Sequence, residues 1–113
     1  MVKSQSLTVK GDVIEVFKSN HSEKVTQDYY LKASNIVIEA SQNITIKVGQ
    51  SHIAIDNTGI KIGTKGMIKL ESQLTTDIKA TAPLTVESAA TATMTTVKGD
   101  GMTVVKGGVV MIN

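Results

Sequence analysis

The feature that most constrains this chain is a repeat of short apolar pairs that returns about every eight residues. In each pair, two apolar side chains stand two positions apart, with a residue such as Thr45, Lys61 or Lys69 between them. Side chains alternate between the faces of a strand, so each pair predicts a short strand with one apolar face. The clearest pairs are Ile36/Ile38, Ile44/Ile46, Ile53/Ile55, Ile60/Ile62, Ile68/Leu70 and Leu84/Val86.

Between the pairs lie turn residues, and the spacing excludes amphipathic helices. Gly49-Gln50-Ser51, Asp56-Asn57-Thr58-Gly59 and Gly63-Thr64-Lys65-Gly66 are segments that can bend the chain at a corner. An amphipathic helix needs apolar residues three and four positions apart, which the pairs do not supply. The sequence therefore predicts an all-β protein, with a less regular N-terminal β segment over residues 1–32 and a regular shaft over 33–113.

Two windings satisfy such a repeat. A single chain can stack its own strands into a solenoid, so that its coils pair with each other. Alternatively, three chains intertwine and each strand pairs with strands of the partner chains, which makes folding and assembly one event. The chain shows no recognisable solenoid cap, so we favour the second winding, an intertwined homotrimeric triple-stranded β-helix. The self-stacked solenoid remains the alternative.

Composition excludes several classes of function. Only 3% of the 113 residues are aromatic, so the interior must be built from small and β-branched side chains rather than around a deep ring-lined pocket. The 12 basic residues are all lysines, spread along a chain of net charge +2, which argues against nucleic-acid binding. The absence of cysteine excludes disulfides and thiolate metal sites.

We expect no secretory signal peptide at the start of the sequence. No apolar run is long enough for a membrane span, and the first residues lack the apolar stretch of a signal peptide. The chain enters its alternating pattern abruptly. We therefore expect a segment of a longer protein that is not exported by the general secretory route.

Candidate chemical groups are few and scattered. His21 and His52 lack any metal-ligand spacing, so we expect solvated histidines and no metal. Ser51, His52 and Asp56 are too close in sequence to form a catalytic triad, in which a base activates the nucleophile and a third residue orients the base. Residues 59–65 contain Gly, Lys and Thr in the wrong order for a phosphate loop. No cofactor is expected.

Three stretches of the chain resemble the C-terminal needle of VgrG, the valine-glycine repeat spike of bacterial type VI secretion. They are residues 28–40, residues 44–62 apart from Gln50, Asn57 and Thr58, and the closing segment Lys106-Gly107-Gly108-Val109-Val110-Met111-Ile112-Asn113. The similarity extends from about Val25 to Asn113 and lies in the order of the repeats rather than in a single motif. The larger N-terminal part of that family has no counterpart here.

The resemblance implies a mechanical function. It implies a homotrimeric needle, similar to the needles of contractile phage tails, that penetrates a target cell envelope and carries a PAAR-type tip protein or effector at its C-terminal end. It also implies assembly in the bacterial cytoplasm, followed by export through the secretion system, and no enzymatic activity. Some phage needles hold a metal at the apex through closely spaced histidines, but no histidine follows His52 here.

The residues expected to carry this function form two groups. The inward residues of the trimer core are Ile36, Ile38, Ile44, Ile46, Ile53, Ile55, Ile60, Ile62, Ile68, Leu70, Leu84 and Val86. The partner-binding residues of the tip are Val109, Val110, Met111, Ile112 and Asn113.

Two other classes of function remain open. A glycan-cleaving β-solenoid would use carboxylate pairs such as Asp12 with Glu15 or Glu71 with Asp77. Sugar sites, however, usually need aromatic side chains on which the sugar rings stack, and no Phe, Tyr or Trp follows Tyr30. An adhesive fibre stalk would show the same repeat. Only the family resemblance separates a stalk from a piercing needle.

Overall fold

A computed structural model describes residues 1–89 and 99–112. The chain divides into two units, Met1–Gly63 and Thr64–Asn113. The first unit contains three β-strands: β1 (Asn43–Val48), β2 (Ser51–Asp56) and β3 (Gly59–Gly63). They form one antiparallel sheet in the order β1-β2-β3.

The turn between β1 and β2 depends on a glycine. Only Gly49 and Gln50 lie between the two strands, and Gly49 has a φ of 55°. A left-handed first residue followed by one with negative φ is the pattern of a type II′ hairpin turn, which reverses the chain in register with the strand twist. Glycine adopts this conformation without the clash that a Cβ atom would meet.

The turn between β2 and β3 is held by Asp56. Its Oδ1 atom accepts hydrogen bonds from the Thr58 amide at 2.9 Å, from the Thr58 hydroxyl at 2.6 Å and from the Gly59 amide at 3.2 Å. Asp side chains favour turns because they can bond the backbone two and three residues ahead in this way. The sheet therefore contains two tight reversals, each with its own local cause.

The register places six isoleucines on one face of the sheet. Ile44 lies opposite Ile55, which lies opposite Ile60, and Ile46 lies opposite Ile53, which lies opposite Ile62. Directly opposed residues share a face, and residues two apart on one strand share it too. We call this surface the isoleucine face, made of Ile44, Ile46, Ile53, Ile55, Ile60 and Ile62.

In the second unit, the described residues contain no strand or helix and are organised by local contacts. The Gly66 amide donates to Thr64 Oγ1 at 3.0 Å, and Ser72 Oγ donates to the carbonyl of Thr75 at the same distance. Lys69 Nζ and Glu71 Oε2 form an exposed ion pair at 3.2 Å. Lys69 and Glu71, two positions apart, thus meet on one side of the chain.

The described residues of the single chain do not enclose a hydrophobic core. None of the described apolar side chains is buried, and the chain exposes 12945 Å² of surface. A folded monomer of 12.0 kDa exposes about 6,000 Å², so this surface is about twice as large. The apolar residues of the repeat are thus in water in the isolated chain, at a cost that scales with their area.

The expected all-β class is confirmed for the described residues, which contain three strands and no helix. The pairing over residues 43–63 differs from the predicted winding. There the neighbours of each strand come from the same chain. The segments expected to bend the chain at corners of the β-helix reverse its direction instead. The reason is loop length, because only two residues separate successive strands and such loops form hairpins.

Candidate interaction surface

The isoleucine face is the most continuous apolar surface that the sheet presents. Its central pair, Ile53 and Ile55, keeps 37% and 38% of its surface accessible, whereas Ile46 and Ile60 at the edges keep 58% and 71%. Neighbouring isoleucines across the strands shield one another only partly: Ile44 on the edge strand β1 is half-buried, and the other five stay exposed. A sheet face of this composition is built to be packed against another apolar surface.

The opposite face of the sheet is polar. One row across it runs Thr45, Ala54, Lys61, and the next runs Lys47, His52, Gly63. The His52 ring lies over Gly63, where an added Cβ atom would come within 2.8 Å of its Cε1 atom. The absence of a side chain at Gly63 thus leaves room for the half-buried His52, which lies within β2 rather than in a turn.

The electrostatics of the sheet centre on Asp56. Hydrogen bonds from the Thr58 hydroxyl and then the Thr58 amide lower the pKa of the Asp56 carboxyl below its ordinary value of 3.8. Asp56 also borders a groove of about 370 Å³ on the sheet. That groove is lined by Ala54, Asp56, Thr58, Gly59, Ile60 and Lys61. Asp56 is the only carboxylate among these lining residues, so the groove offers no second acid for hydrolysis.

The excluded triad is absent from the geometry as well. His52 and Asp56 share a face of β2 but stand four residues apart, which is about 13 Å along a strand. Ser51 alternates to the other face. Glu71, one of the carboxylates considered for glycan cleavage, is paired with Lys69 instead.

His21 belongs to a small exposed cluster in the first unit. Its Nε2 atom lies 3.1 Å from Glu23 Oε1, and its ring centroid lies 4.1 Å from that of Phe17. The Glu23 charge, and then its hydrogen bond, raise the pKa of the Tyr29 hydroxyl above 10.0. Sequence reasoning missed this cluster, because a four-residue spacing between two rings predicts contact only in a helix and residues 17–21 are not helical. Among the described residues no group of three metal-binding side chains exists.

The predicted trimer-core residues fall into two sets. The sheet gathers six of them into the isoleucine face. The others lie outside the sheet and are exposed in the single chain. They are Ile36, Ile38, Ile68, Leu70, Leu84 and Val86. Their packing in a trimer stays a prediction.

The predicted tip residues Val109 to Ile112 are all exposed, with 51–94% of their surface accessible. Asn113 lies outside the described residues. Gly107 precedes this run, and an added Cβ atom there would come within 3.3 Å of the Val109 carbonyl oxygen. Four consecutive exposed apolar residues are a surface that invites a partner.

No protein-family model matches the chain, and neither the curated proteins nor the solved structures contain a match to it. Within the described ranges, no helix has the length and apolar character needed to cross a bilayer.

Proposed function

We propose that this chain is a needle segment of a type VI secretion spike of the VgrG kind, which assembles as an obligate homotrimer and works mechanically. In this proposal the needle is assembled in the bacterial cytoplasm and exported by the secretion system. It transmits axial thrust through the target cell envelope. Val109 to Asn113 then hold a PAAR-type tip protein or an effector.

The observation that carries the proposal is the exposure of the repeat. The apolar pairs recur through the sequence, yet none of the described apolar side chains is buried in the single chain. A chain of 12.0 kDa with about twice the surface of a folded monomer leaves much of its hydrophobic stabilisation unused. Association with copies of itself supplies that burial, because every copy carries the same repeat.

The chemistry of the surface supports a mechanical function over a catalytic one. Asp56 is bound to its turn and Glu71 to Lys69, so two of the acidic side chains already have partners in the fold. The only Phe, Tyr or Trp residues in the sequence are Phe17, Tyr29 and Tyr30, so residues 33–113 contain none of the aromatic side chains on which sugar rings usually stack. A shaft held by continuous interchain packing would also unfold slowly under load.

The decisive experiment is the mass of the chain in solution. Light scattering and sedimentation equilibrium should give three times 12.0 kDa, and brief detergent treatment without boiling should leave that species intact on a gel. A stable species of 12.0 kDa with a β-rich circular dichroism spectrum would indicate a self-stacked solenoid and would overturn the proposal.

Binding of a tip separates a needle from a stalk. A purified PAAR-type protein should co-elute with the assembled chain, whereas a β-solenoid that binds glycans should not retain it. Co-elution with three copies of this chain to one tip protein would support the needle. Cleavage or retention of a glycan array, without tip binding, would assign the chain to phage-tail fibre modules instead.

A further inference from the structure

We propose that residues 17–29 form one closed loop, held by a clasp of four side chains around the Glu23 carboxylate. The members of the clasp are Phe17, His21, Glu23 and Tyr29. The loop contains the polar stretch that interrupts the apolar repeat near the N-terminus. Every contact of the clasp lies within one chain, so the clasp does not depend on the proposed homotrimer.

The backbone of the loop has three arms. It bends at residues 18–19 and again at residues 26–27, which leaves residues 20–25 as a middle arm. His21 and Glu23 belong to the middle arm, whereas Phe17 and Tyr29 lie beyond the two bends. A contact from each outer arm to the middle arm therefore holds one bend.

The first bend is closed by two rings. The centroids of the Phe17 and His21 rings lie 4.1 Å apart, and the ring planes are tilted by 55°. Tilted ring pairs are favourable because the edge of one ring meets the face of the other. The contact spans the bend at residues 18–19 and ties the first arm to the middle arm.

The second bend is closed by a hydrogen bond. The Tyr29 hydroxyl donates to the Glu23 carboxylate across the bend at residues 26–27. The Glu23 charge raises the pKa of that hydroxyl, because ionised tyrosine would place two negative charges together. The contribution of Tyr29 is therefore complete below pH 10.0 and is lost as the pH rises through its folded-state pKa.

Glu23 connects the two closures. Its Oε1 atom lies 3.1 Å from His21 Nε2, so the same carboxylate holds the ring pair and the tyrosine. The His21 and Glu23 side chains are 41% and 51% exposed, so this ion pair alone contributes little. The shared carboxylate makes the contacts a network, in which the loss of one member weakens the others.

The closed loop sets aside the polar stretch that breaks the repeat. Residues 18–24 contain no apolar pair, and the regular pairs resume beyond the loop at Ile36/Ile38. With both bends held, the chain leaves the loop in a fixed direction. The clasp thus determines how the N-terminal segment leads into the regular shaft.

The first test follows the ionisation of Tyr29 in the full chain. The sequence has two tyrosines, so Tyr30→Phe leaves Tyr29 as the only phenol, and ultraviolet absorbance reports its titration. In this parent the midpoint should lie above 10.0. Glu23→Gln keeps an acceptor but removes the charge, so the midpoint should shift back toward 10.0. An equal midpoint in this variant and the parent would overturn the clasp.

A matched control changes a glutamate outside the clasp. Glu39→Gln removes the same charge from a residue ten positions beyond Tyr29 and should leave the Tyr29 midpoint raised. A shift as large as that of Glu23→Gln would assign the effect to the overall charge of the chain and overturn the clasp.

The second test asks whether the two bends are coupled, which separate contacts would not show. In NMR spectra the Phe17 and His21 ring protons should show a nuclear Overhauser contact, and Glu23→Ala should remove it although neither ring is altered. Phe17→Leu tests the coupling from the other end and should shift the Tyr29 midpoint toward 10.0.

Two outcomes would show separate contacts and overturn the clasp. They are a retained ring contact in Glu23→Ala and an unchanged Tyr29 midpoint in Phe17→Leu. If Glu23→Ala does not fold, Phe17→Leu decides alone. The mass of the assembly enters neither test, so the homotrimer stands or falls separately.

Discussion

Asp56 fixes the second reversal of the sheet through one oxygen atom. Oδ1 accepts hydrogen bonds from the Thr58 and Gly59 amides and from the Thr58 hydroxyl. An aspartate in this position stabilises the turn by bonding backbone amides two and three residues ahead. The lowered pKa of its carboxyl has the same origin, since the bonds favour the charged form.

This origin predicts a weakening of the turn in acid. The folded-state pKa of Asp56 lies below the unfolded value of 3.8. The stabilisation of the turn by the charged carboxylate is therefore complete above pH 3.8 and is lost as the pH falls through the folded-state pKa. Amide exchange of Thr58 and Gly59, compared by NMR between about pH 5 and pH 2 after correction for intrinsic rates, should show lost protection. Asp56→Asn keeps an acceptor and should remove this pH dependence. An unchanged profile in that variant would assign the effect to other carboxylates.

Gly49 fixes the first reversal through its backbone. Its φ of 55° is strained for any residue with a Cβ atom, so Gly49→Ala should destabilise the sheet by about 1–2 kcal/mol. The measurement is the urea midpoint followed by circular dichroism. Gly11→Ala is the matched control, because nothing lies within 4 Å of an added Cβ atom there and φ is not positive. Gly11→Ala should be neutral or slightly stabilising. Equal losses in both variants would contradict the assigned turn.

At the scale of the strand, the alternating pattern predicted most of what the sheet shows. Each pair Ile44/Ile46, Ile53/Ile55 and Ile60/Ile62 falls within a strand with both side chains on one face, as predicted. Alternation determines this because it is a property of a single extended segment. It requires no knowledge of which segment lies alongside.

The direction of the chain between strands was not predictable in the same way. The pattern predicts bends at Gly49-Gln50-Ser51 and at Asp56–Gly59. A corner of the predicted β-helix and a hairpin both keep successive isoleucine pairs on one side, so the pattern does not distinguish them. What distinguishes a hairpin from a corner is where the strands begin and end. Ser51, Asp56 and Gly59 belong to the strands, so each loop contains only two residues. For Ile36/Ile38 and Ile68/Leu70 the predicted neighbours belong to other chains, so the strands predicted there depend on assembly.

A charge on the isoleucine face should prevent assembly. In the proposed interior, Ile46→Asp would place three carboxylates in one apolar layer, and each unpaired buried charge costs several kcal/mol. Sedimentation of the variant should show single chains or aggregates. Thr45→Asp, the neighbour on the polar face, should assemble normally. A soluble Ile46→Asp trimer with an unchanged melting temperature would contradict the packing.

At the scale of the whole molecule, the proposed homotrimer makes stability and assembly one quantity. A chain that exposes 12945 Å² and buries none of its described apolar side chains has little to gain from folding alone. If copies supply the burial, the apparent melting temperature should depend on protein concentration, as it does for proteins without a stable folded monomer. In that case local features such as the two turns determine the register of the strands, whereas association supplies most of the free energy that stabilises the folded state.

The same reasoning separates the shaft from the tip. The exposed run Val109–Ile112 lies far in sequence from the isoleucine face. Deletion of residues 109–113 should therefore leave three chains in each assembly and abolish retention of a PAAR-type protein in a pull-down. Substitution of Met111 and Ile112 by serine keeps the chain length and should weaken binding by removing apolar area alone. Undiminished pull-down after the deletion would place tip binding elsewhere. Loss of the assembled mass would instead show that these residues hold the shaft together.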